Sequence, residues 1–313
     1  MNFLVTGGAG FIGRWTVKKL LDLNHNVWIL DNLSNGSEGN VQEFKDKLSG
    51  FVIGDIKDKQ TLKELFKNNF DVCLHLAAGI NVQQSIDNPQ ETFDDNVVGT
   101  FNVLEESRKN NVKFVFISSA LVYRPMKDRP INEEHPTWPS CVYAASKIAG
   151  ESLVLSYYNA YKFPVVVLRP FTAYGPYQKT NGEGGVVSIF IKKYLDGENL
   201  EIFGDGTQTR DLVYVEDYAD FIINATLSEK TDGQILNAGS EKDISINELA
   251  FFICKDKNRL THIPHHHPQA EIEKMICDSS KAKNILDWKP KIGLEEGIER
   301  TKQWIKSFES KDN

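Results

Sequence analysis

The glycine-rich segment TGGAGFIG near the N-terminus constrains the fold more than any other part of the sequence. It satisfies GxGxxG through Gly8, Gly10 and Gly13, and GxxGxxG when Gly7 is counted in place of Gly8. The segment follows the apolar run FLVT and leads into a helical pattern, Phe11–Leu23. Glycines there allow a tight turn, and the helix N-terminus presents unpaired N–H groups to a pyrophosphate. This strand–turn–helix order predicts a dinucleotide site.

Six short apolar runs in the first half of the chain predict a sheet. The runs are FLVTG, NVWILD, FVIGD, DVCLHLA, KFVFISS and VVVLR, and they are rich in Val, Ile and Phe. Nearly continuous apolarity is typical of parallel strands that are covered on both faces. Helical patterns separate the runs, at Phe11–Leu23, Thr61–Lys67, Pro89–Lys109 and Val142–Tyr161. The predicted fold class is therefore α/β, a doubly wound parallel (Rossmann) sheet of six strands with right-handed crossovers.

The sequence changes character after Pro170. Gly, Pro and polar residues cluster through residues 174–185, and the strict alternation of strands and helices ends. Helical patterns recur at Val186–Asp196, Val215–Leu227, Ile246–Cys254 and Leu294–Phe308. We expect a dinucleotide-binding domain made of residues 1–170 with returning segments near 211–240. We expect residues 171–210 and 241–313 to form a smaller, discontinuous C-terminal lobe that completes a pocket over the sheet.

Charge and cysteine usage narrow the range of partners. The net charge is -7 and there is no long basic run, which argues against a nucleic-acid or anionic-membrane partner. No apolar stretch approaches the ~20 residues that a membrane span needs, and we expect no secretory signal. The four cysteines, Cys73, Cys141, Cys254 and Cys277, are scattered without a CxxC pair, so we expect a reducing, cytoplasmic location.

Two acidic residues follow the second and third predicted strands. Asp31 ends the second strand, about 20 residues after the glycine-rich turn, where an acid binds both hydroxyls of the cofactor's ribose. A carboxylate there repels a 2′-phosphate, so NAD is favoured over NADP as the cofactor. The alternative for Asp31 is a helix cap or a turn residue. Asp55 is placed to reach the adenine edge, and a turn role fits it nearly as well.

Tyr143 and Lys147 lie four residues apart in a predicted helix, so they share one face. Tyrosine, with a pKa of about 10, is a poor base at neutral pH. A neighbouring ammonium and the positive nicotinamide ring would both favour the phenolate and lower that pKa. Ser119, at the end of the fifth strand, can hydrogen-bond the same substrate hydroxyl. The three side chains could deprotonate a secondary alcohol while hydride leaves its carbon for NAD, and a simple helix-surface pair is the alternative.

With these motifs, the chain resembles the NAD-dependent sugar epimerase/dehydratase family of extended short-chain dehydrogenases/reductases, and UDP-glucose 4-epimerase-like members in particular. Matching stretches run almost from end to end: TGGAGFIG, DNLSNG, GDI, HLAA, NVVGT, FISSA, YAASK, RPF-AYGP, GDGTQTRDLVYVED and SKAKNILDWKP. The resemblance implies an enzyme that binds NAD and a nucleotide-diphosphate sugar, the latter in the smaller lobe. It also implies a homodimer built through two long helices, near Asp94–Lys109 and Val142–Tyr161.

The same resemblance assigns residues to the site. It implies Ser119, Tyr143 and Lys147 as the catalytic triad. It implies NAD contacts at Gly7, Gly10, Phe11, Ile12, Gly13, Asp31, Asn32, Asp55, Ile56, Leu76, Ala77, Ala78, Asn96, Tyr143, Lys147 and Pro170. Substrate contacts are expected at Ser119, Thr172, Phe203 and Arg210.

Two of these substrate contacts also follow from the residue types. The resemblance makes Arg210 a diphosphate ligand, and its position beside a loop suits bidentate phosphate binding. A salt bridge to a neighbouring acid is the alternative for Arg210. Phe203 could stack on the nucleobase or belong to the core.

Departures from the family pattern bear on the reaction. Members that act as 4,6-dehydratases carry an Asp-Glu pair directly after the catalytic hydroxyl, and related decarboxylases carry a Glu one position further on. This chain has Ala120 and Leu121, which cannot exchange a proton, so dehydration and that decarboxylation are disfavoured. Thr172 stands where UDP-hexose epimerases usually carry Asn, and VYG has become VYR, which we expect to place Arg124 at the pocket edge. An uncommon sugar, or a base other than uracil, is consistent with these changes.

The loop IPHHHPQAEIEK lacks the Arg that UDP-hexose epimerases carry before SKA. Its run His265–His267 suggests a metal site, but three adjacent residues cannot easily all face one ion. We therefore expect no metal, and a polar loop with one histidine near phosphate.

These observations favour NAD-dependent oxidoreduction at C4 of the sugar through a 4-keto intermediate, and 4-epimerisation in particular. One alternative stops at the half-reaction, as a 4-dehydrogenase or 4-ketoreductase whose NAD is recycled by another substrate. A non-catalytic regulator that binds NAD or a nucleotide sugar is a third hypothesis. The presence of Ser119, Tyr143 and Lys147 together argues against the third.

Overall fold

The computed structural model describes residues 1–125, 129–182, 184–265 and 272–309. The strands in these ranges are β1 (Asn2–Thr6), β2 (Asn26–Asp31), β3 (Gly50–Ile53), β4 (Val72–His75), β5 (Lys113–Ile117), β6 (Val165–Pro170), β7 (Thr172–Tyr174), β8 (Leu200–Phe203), β9 (Thr209–Tyr214), β10 (Gln234–Ala238), β11 (Asp243–Ser245) and β12 (Leu260–Ile263). The α-helices are α1 (Phe11–Asp22), α2 (Lys59–Leu65), α3 (Val82–Asp87), α4 (Pro89–Phe93), α5 (Thr100–Lys109), α6 (Val142–Tyr161), α7 (Val186–Leu195), α8 (Val215–Leu227), α9 (Ile246–Cys254), α10 (Ser280–Leu286) and α11 (Leu294–Glu309).

A seven-stranded parallel sheet forms the centre of the molecule. Its strand order is β3-β2-β1-β4-β5-β6-β10, with every neighbouring pair parallel. All six predicted strands are present, so the predicted Rossmann fold class is confirmed. The prediction of six strands was one too few, because β10 is a short segment that joins the sheet beside β6 from far along the chain.

Both faces of the sheet are covered by apolar side chains. In β1, Phe3 and Val5 pack into the cluster under α1 and α8, while Leu4 packs into the cluster under α2, α5 and α6. Successive strand residues point to opposite faces, so a strand covered on both sides must be apolar at every position. This requirement explains why FLVT and KFVFI could be recognised as strands from the sequence.

The predicted helices α6, α8 and α9 have the expected bounds. The prediction of one continuous α-helix over Pro89–Lys109 was wrong, because the middle of this segment is not α-helical. There, a π-helical turn, Asp94–Gly99, separates α4 from α5. The buried Asn96 lies in this turn, and its side chain accepts a hydrogen bond from Gly79 N (2.8 Å) and donates one to Gly79 O (2.9 Å). We attribute the local widening of the helix to this tertiary contact, which the helical pattern does not reveal.

Two smaller sheets are built from strands in the second half of the chain. One has the order β11-β9-β7 and the other pairs β8 with β12. A third apolar cluster lies among α7, α9 and α11. The division into a dinucleotide-binding domain and a substrate lobe stays a prediction. Within the described ranges, no helix combines the length and apolarity needed to cross a membrane.

Candidate functional site

The carboxyl ends of the central strands meet at a cavity of about 670 Å³. The cavity lies where the chain order reverses, since β1 pairs with β2 on one side and β4 on the other. In doubly wound sheets this switch point is where ligands bind. The lining includes the residues that follow β1, β2, β3 and β4, and the last residues of β5 and β6.

The glycine-rich turn forms one wall of the cavity. Gly7 has a φ of +71°, and a Cβ on it would lie 2.7 Å from the backbone N of Ala77. A Cβ on Gly13 would lie 2.0 Å from the carbonyl oxygen of Gly7. Helix α1 starts directly after Gly10, which provides no side-chain cap, so its first N–H groups remain available to a ligand. Only glycine fits these positions, and the resulting cradle suits a pyrophosphate.

Asp31 lies at the end of β2 and faces the same cavity. Its carboxylate accepts hydrogen bonds from the backbone N–H groups of Ala9 and Leu33, both at 2.9 Å. Burial raises the pKa of Asp31, and these two hydrogen bonds act in the opposite direction. Asn32 Nδ2 donates to Asp55 Oδ2 at 3.3 Å, which brings the other predicted acid to the same corner. The predicted ribose and adenine contacts are therefore adjacent in space.

Replacing Asp31 with asparagine is expected to weaken NAD binding by about tenfold, because hydrogen bonds to a charged acceptor are worth about 1.5–3 kcal/mol. The NADP affinity should fall less, because the repulsion of a 2′-phosphate is lost at the same time. Fluorescence titration with NADH and NADPH measures both dissociation constants. Asp22→Asn is the matched control, because the Asp22 carboxylate pairs with Lys18 on the surface of α1. An unchanged NADH/NADPH ratio in Asp31→Asn would contradict the assignment.

Ser119, Tyr143 and Lys147 all line the cavity. Burial raises the pKa of Tyr143 to about 12, and a hydrogen bond with Ser119 acts in the opposite direction. Lys147 Nζ donates to the carbonyl oxygen of Ile117 at 3.0 Å and lies 5.9 Å from the centre of the Tyr143 ring. Burial lowers the pKa of Lys147 to about 8. The expected lowering of the tyrosine pKa is thus not produced by the protein groups alone, because the desolvation of Tyr143 outweighs them.

The cavity brings together all but one of the predicted cofactor contacts. Its lining contains Gly7, Gly10, Phe11, Ile12, Gly13, Asp31, Asn32, Asp55, Ile56, Leu76, Ala77, Ala78, Tyr143, Lys147 and Pro170. Asn96 is outside this lining, and its amide also donates to Ser146 Oγ at 2.9 Å. The neighbouring Asp95 lines the cavity instead.

The predicted substrate contacts are divided between two places. Thr172 lines the cavity with Ser119, whereas Phe203 and Arg210 do not. Arg210 donates to the carbonyl oxygens of Thr209 (2.8 Å) and Ile272 (2.9 Å), and the Phe203 ring centre lies 5.7 Å from that of His265. Their roles toward a diphosphate and a base stay predictions.

Two further predictions concern loops. The Arg124 guanidinium lies over the Trp138 ring, 5.7 Å from its centre, and Arg124 is not part of the cavity lining. His266 and His267 of the histidine run lie outside the described residues.

The structure adds a group of cavity residues that the sequence did not single out. They are Ser34, Asn35, Gly36, Ser37, Asn40, Phe171, Tyr177, Gln178, Lys179 and Gly185. Lys179 Nζ donates to Asn35 Oδ1 at 3.2 Å, so the loop after β7 reaches the loop after β2. The Arg14 guanidinium carbon lies 3.7 Å from the centre of the Tyr177 ring and fixes the loop from the side of α1. The motif DNLSNG and the glycine cluster near residue 184 were the available signals.

This fold and this cavity define a dinucleotide-binding protein of the short-chain dehydrogenase/reductase type. Residues 3–239 match the model of the NAD dependent epimerase/dehydratase family. A relative from Methanocaldococcus jannaschii, named a putative UDP-glucose 4-epimerase, is 41% identical over 307 residues, which cover 97% of this chain and 98% of the relative. The chain belongs to the NAD-dependent epimerase/dehydratase family, which confirms the prediction of an NAD-dependent enzyme.

Two solved structures share this fold closely. The structure of Pal from Bacillus thuringiensis has a TM-score of 0.97 and 54% identity, with 98% of this chain and 100% of that chain covered. A UDP-glucose 4-epimerase from Thermotoga maritima, solved with UDP-glucose, has a TM-score of 0.92 and 33% identity, with coverage of 98% and 99%. Relatives with dehydratase and decarboxylase names belong to the same group. Family membership therefore defines the type of chemistry, and the particular reaction must be argued from the site.

Proposed function

We propose that this protein oxidises and re-reduces C4 of a nucleotide-diphosphate sugar, and that its net reaction is 4-epimerisation. The observation that carries the proposal is that Ser119, Tyr143 and Lys147 line the same cavity as the glycine-rich cradle. A hydroxyl that reaches Ser119 and Tyr143 is thereby held beside a dinucleotide. The name of the Thermotoga maritima neighbour and its UDP-glucose ligand support a nucleotide sugar as the substrate.

Three protein side chains each have one role in the proposed proton transfer. Tyr143 accepts the proton of the C4 hydroxyl, and Ser119 holds that hydroxyl and hydrogen-bonds the tyrosine. Lys147 adds the positive charge that favours the phenolate form. When bound, NAD supplies the acceptor of the C4 hydride and its donor in the return step. Tyr143 then returns its proton to the re-formed hydroxyl, and because the hydride also returns to C4, the cycle has no net redox change.

The residues after Ser119 support a reaction confined to one carbon. Leu121 lines the cavity, and Ala120 is buried beside it. Neither side chain can donate or accept a proton, so elimination of a neighbouring hydroxyl would lack its acid and base. Phe171 also lines the cavity and packs in one apolar cluster with Ala120 and Leu121, so the three form an apolar wall. A 4-keto sugar could turn against such a wall without breaking hydrogen bonds to it.

The test is incubation of the NAD-loaded protein with UDP-, GDP-, dTDP- and CDP-hexoses, followed by proton NMR of the products. Inversion at C4 without accumulation of NADH is the expected result for at least one substrate. A stable ketone with stoichiometric NADH would instead support the half-reaction alternative. Absence of change at C4 in every sugar would contradict the proposal.

The proposal includes a cytoplasmic homodimer formed through the segment 94–109 and α6. Phe101 of α5 is 40% exposed and Tyr161 of α6 is 58% exposed, and α6 also presents the small residues Ala145 and Ser152. Such a surface permits close packing of helices from two copies.

Phe101→Glu is therefore expected to convert a dimer into a monomer, because it places a charge in the centre of that contact. Size-exclusion chromatography with light scattering gives the mass. Phe251→Glu, at a similarly exposed phenylalanine of α9, is the control that should remain dimeric. A wild-type protein with the mass of a monomer would contradict the proposed assembly.

A further inference from the structure

A buried ion pair lies directly behind the candidate catalytic residues. Glu151 follows Lys147 by four residues on α6, so both side chains are on the face that carries Tyr143. Arg169 of β6 donates to Glu151 through Nε at 2.8 Å and through a terminal nitrogen at 2.5 Å. The two side chains are 4% and 5% exposed. Arg169 is followed by Pro170, which lines the cavity.

The carboxylate of Glu151 also binds the segment that follows β5 and carries Ser119. Ser118 Oγ donates to Glu151 Oε1 at 2.5 Å. Since Lys147 Nζ donates to Ile117 O, the helix contacts the end of β5 at two consecutive residues. Glu151 thus links α6, β5 and β6, the three elements that present Tyr143, Ser119 and Pro170 to the cavity.

Stability alone is a weak reason for such a pair. Two charges lose their hydration when they are buried, and apolar residues of similar volume often replace a buried ion pair without loss of stability. The position of the ion pair, next to Lys147, indicates a role in the reaction more directly than the presence of a buried ion pair does. Of the ionisable groups around it, Lys147 is the one that the proposed reaction needs in its charged form.

We infer that Glu151 is a positioning residue of the proposed C4 reaction, held by Arg169 and Ser118, and that its negative charge keeps Lys147 an ammonium group oriented toward Tyr143. This inference rests on the proposed function for its catalytic consequence. The state of Lys147 can be measured independently of any substrate.

The charges around Lys147 determine the sign of the effect. Tyr143 and Glu151 face it from α6, His75 from β4, and Arg169 lies behind Glu151 on β6. His75 is buried between Thr6 and Thr100, and burial lowers its pKa to about 3, so it is neutral. Among these four groups Glu151 supplies the negative charge, and that charge acts against the lowering of the Lys147 pKa by burial.

Glu151→Gln therefore leaves the arginine as the neighbouring charge, and Lys147 should lose its proton at a lower pH. Lysine is charged below its pKa, so the alkaline limb of kcat should move to lower pH by about one unit, a tenfold loss at a fixed pH on that limb. Loss should be small at pH 6, and KM should change little. Glu105→Gln is the matched control, because Glu105 is also ion-paired and contacts α6 through Tyr157.

Two further measurements keep the test decisive. NMR of lysine-labelled, NAD-loaded protein follows the titration of Lys147 directly, and its midpoint should fall in Glu151→Gln and not in Glu105→Gln. In Glu151→Gln/Arg169→Met both charges are absent, so the midpoint should lie between those of the wild type and the single variant. Equal midpoints in all variants would overturn the inference. A shifted midpoint in a protein that acts on no C4 hydroxyl would overturn the proposed function and leave the electrostatic role standing.

Discussion

Replacing Tyr143 with phenylalanine is expected to lower kcat by about 10³-fold, within the range that general acid–base catalysis contributes. The variant removes the only atom by which this side chain can take the proton of the substrate hydroxyl. Its ring, which is buried, can stay in place. NAD affinity should fall far less than kcat, because the other predicted cofactor contacts are unchanged, and thermal stability should change little. Single-turnover reduction of bound NAD by a nucleotide sugar measures the step in which the loss should appear.

The control for this variant is Tyr158→Phe, one turn before the end of the same helix. Tyr158 is outside the cavity lining, and its ring packs near Gly233. The Tyr158→Phe substitution removes a phenolic hydroxyl, as Tyr143→Phe does, but at a position outside the cavity. Activity of Tyr143→Phe within a few-fold of the wild type would contradict the proton-transfer role and would revive the hypothesis of a non-catalytic regulator.

Replacing Gly13 with alanine is expected to weaken NAD binding by about 100-fold, which corresponds to about 2.8 kcal/mol. A Cβ at this position would lie 2.0 Å from Gly7 O and 2.9 Å from Gly8 Cα, so the turn must open. The first turn of α1 would then move away from the pyrophosphate position, and both the hydrogen bonds and the favourable end of the helix dipole would be lost. Isothermal titration with NAD measures the change.

Gly293→Ala provides the comparison for the glycine substitution. A Cβ there meets no atom within 4 Å, and the position lies before α11, outside the cavity lining. Circular dichroism of both variants separates lost binding from lost folding. A Gly13→Ala protein that is folded and binds NAD as the wild type does would show that the cradle is not the dinucleotide site.

Six of the seven strands of the large sheet and the helices α6, α8 and α9 could be predicted because their residues carry the pattern locally. A strand buried on both faces must be apolar throughout, and KFVFI of β5 satisfies this without help from its neighbours. Helix α6 was predicted with its correct bounds, Val142–Tyr161. It is preceded by the N-cap residue Cys141 and followed by Lys162, which adopts a left-handed conformation. The glycine-rich turn and Asp31 were likewise recognisable from spacing.

What could not be predicted depends on contacts between distant segments. The π-helical turn at Asp94–Gly99 is associated with the hydrogen bonds of Asn96 to Gly79, and β10 forms because β6 offers it an edge. The raised pKa of Tyr143 follows from its burial, which no spacing reveals. Glu151 and Arg169 are 18 residues apart on different elements, so their pairing appears only in three dimensions.

The most direct test of the central claim is the fate of the hydrogen at C4. A nucleotide sugar with deuterium at C4, chosen from those that the NMR panel identifies as substrates, is incubated with NAD-loaded protein until equilibrium. If the same hydride leaves and returns within one cavity, the C4-inverted product retains the deuterium at C4 and free NADH contains none. Deuterium recovered in free NADH, or on a carbon other than C4, would contradict the proposed epimerisation.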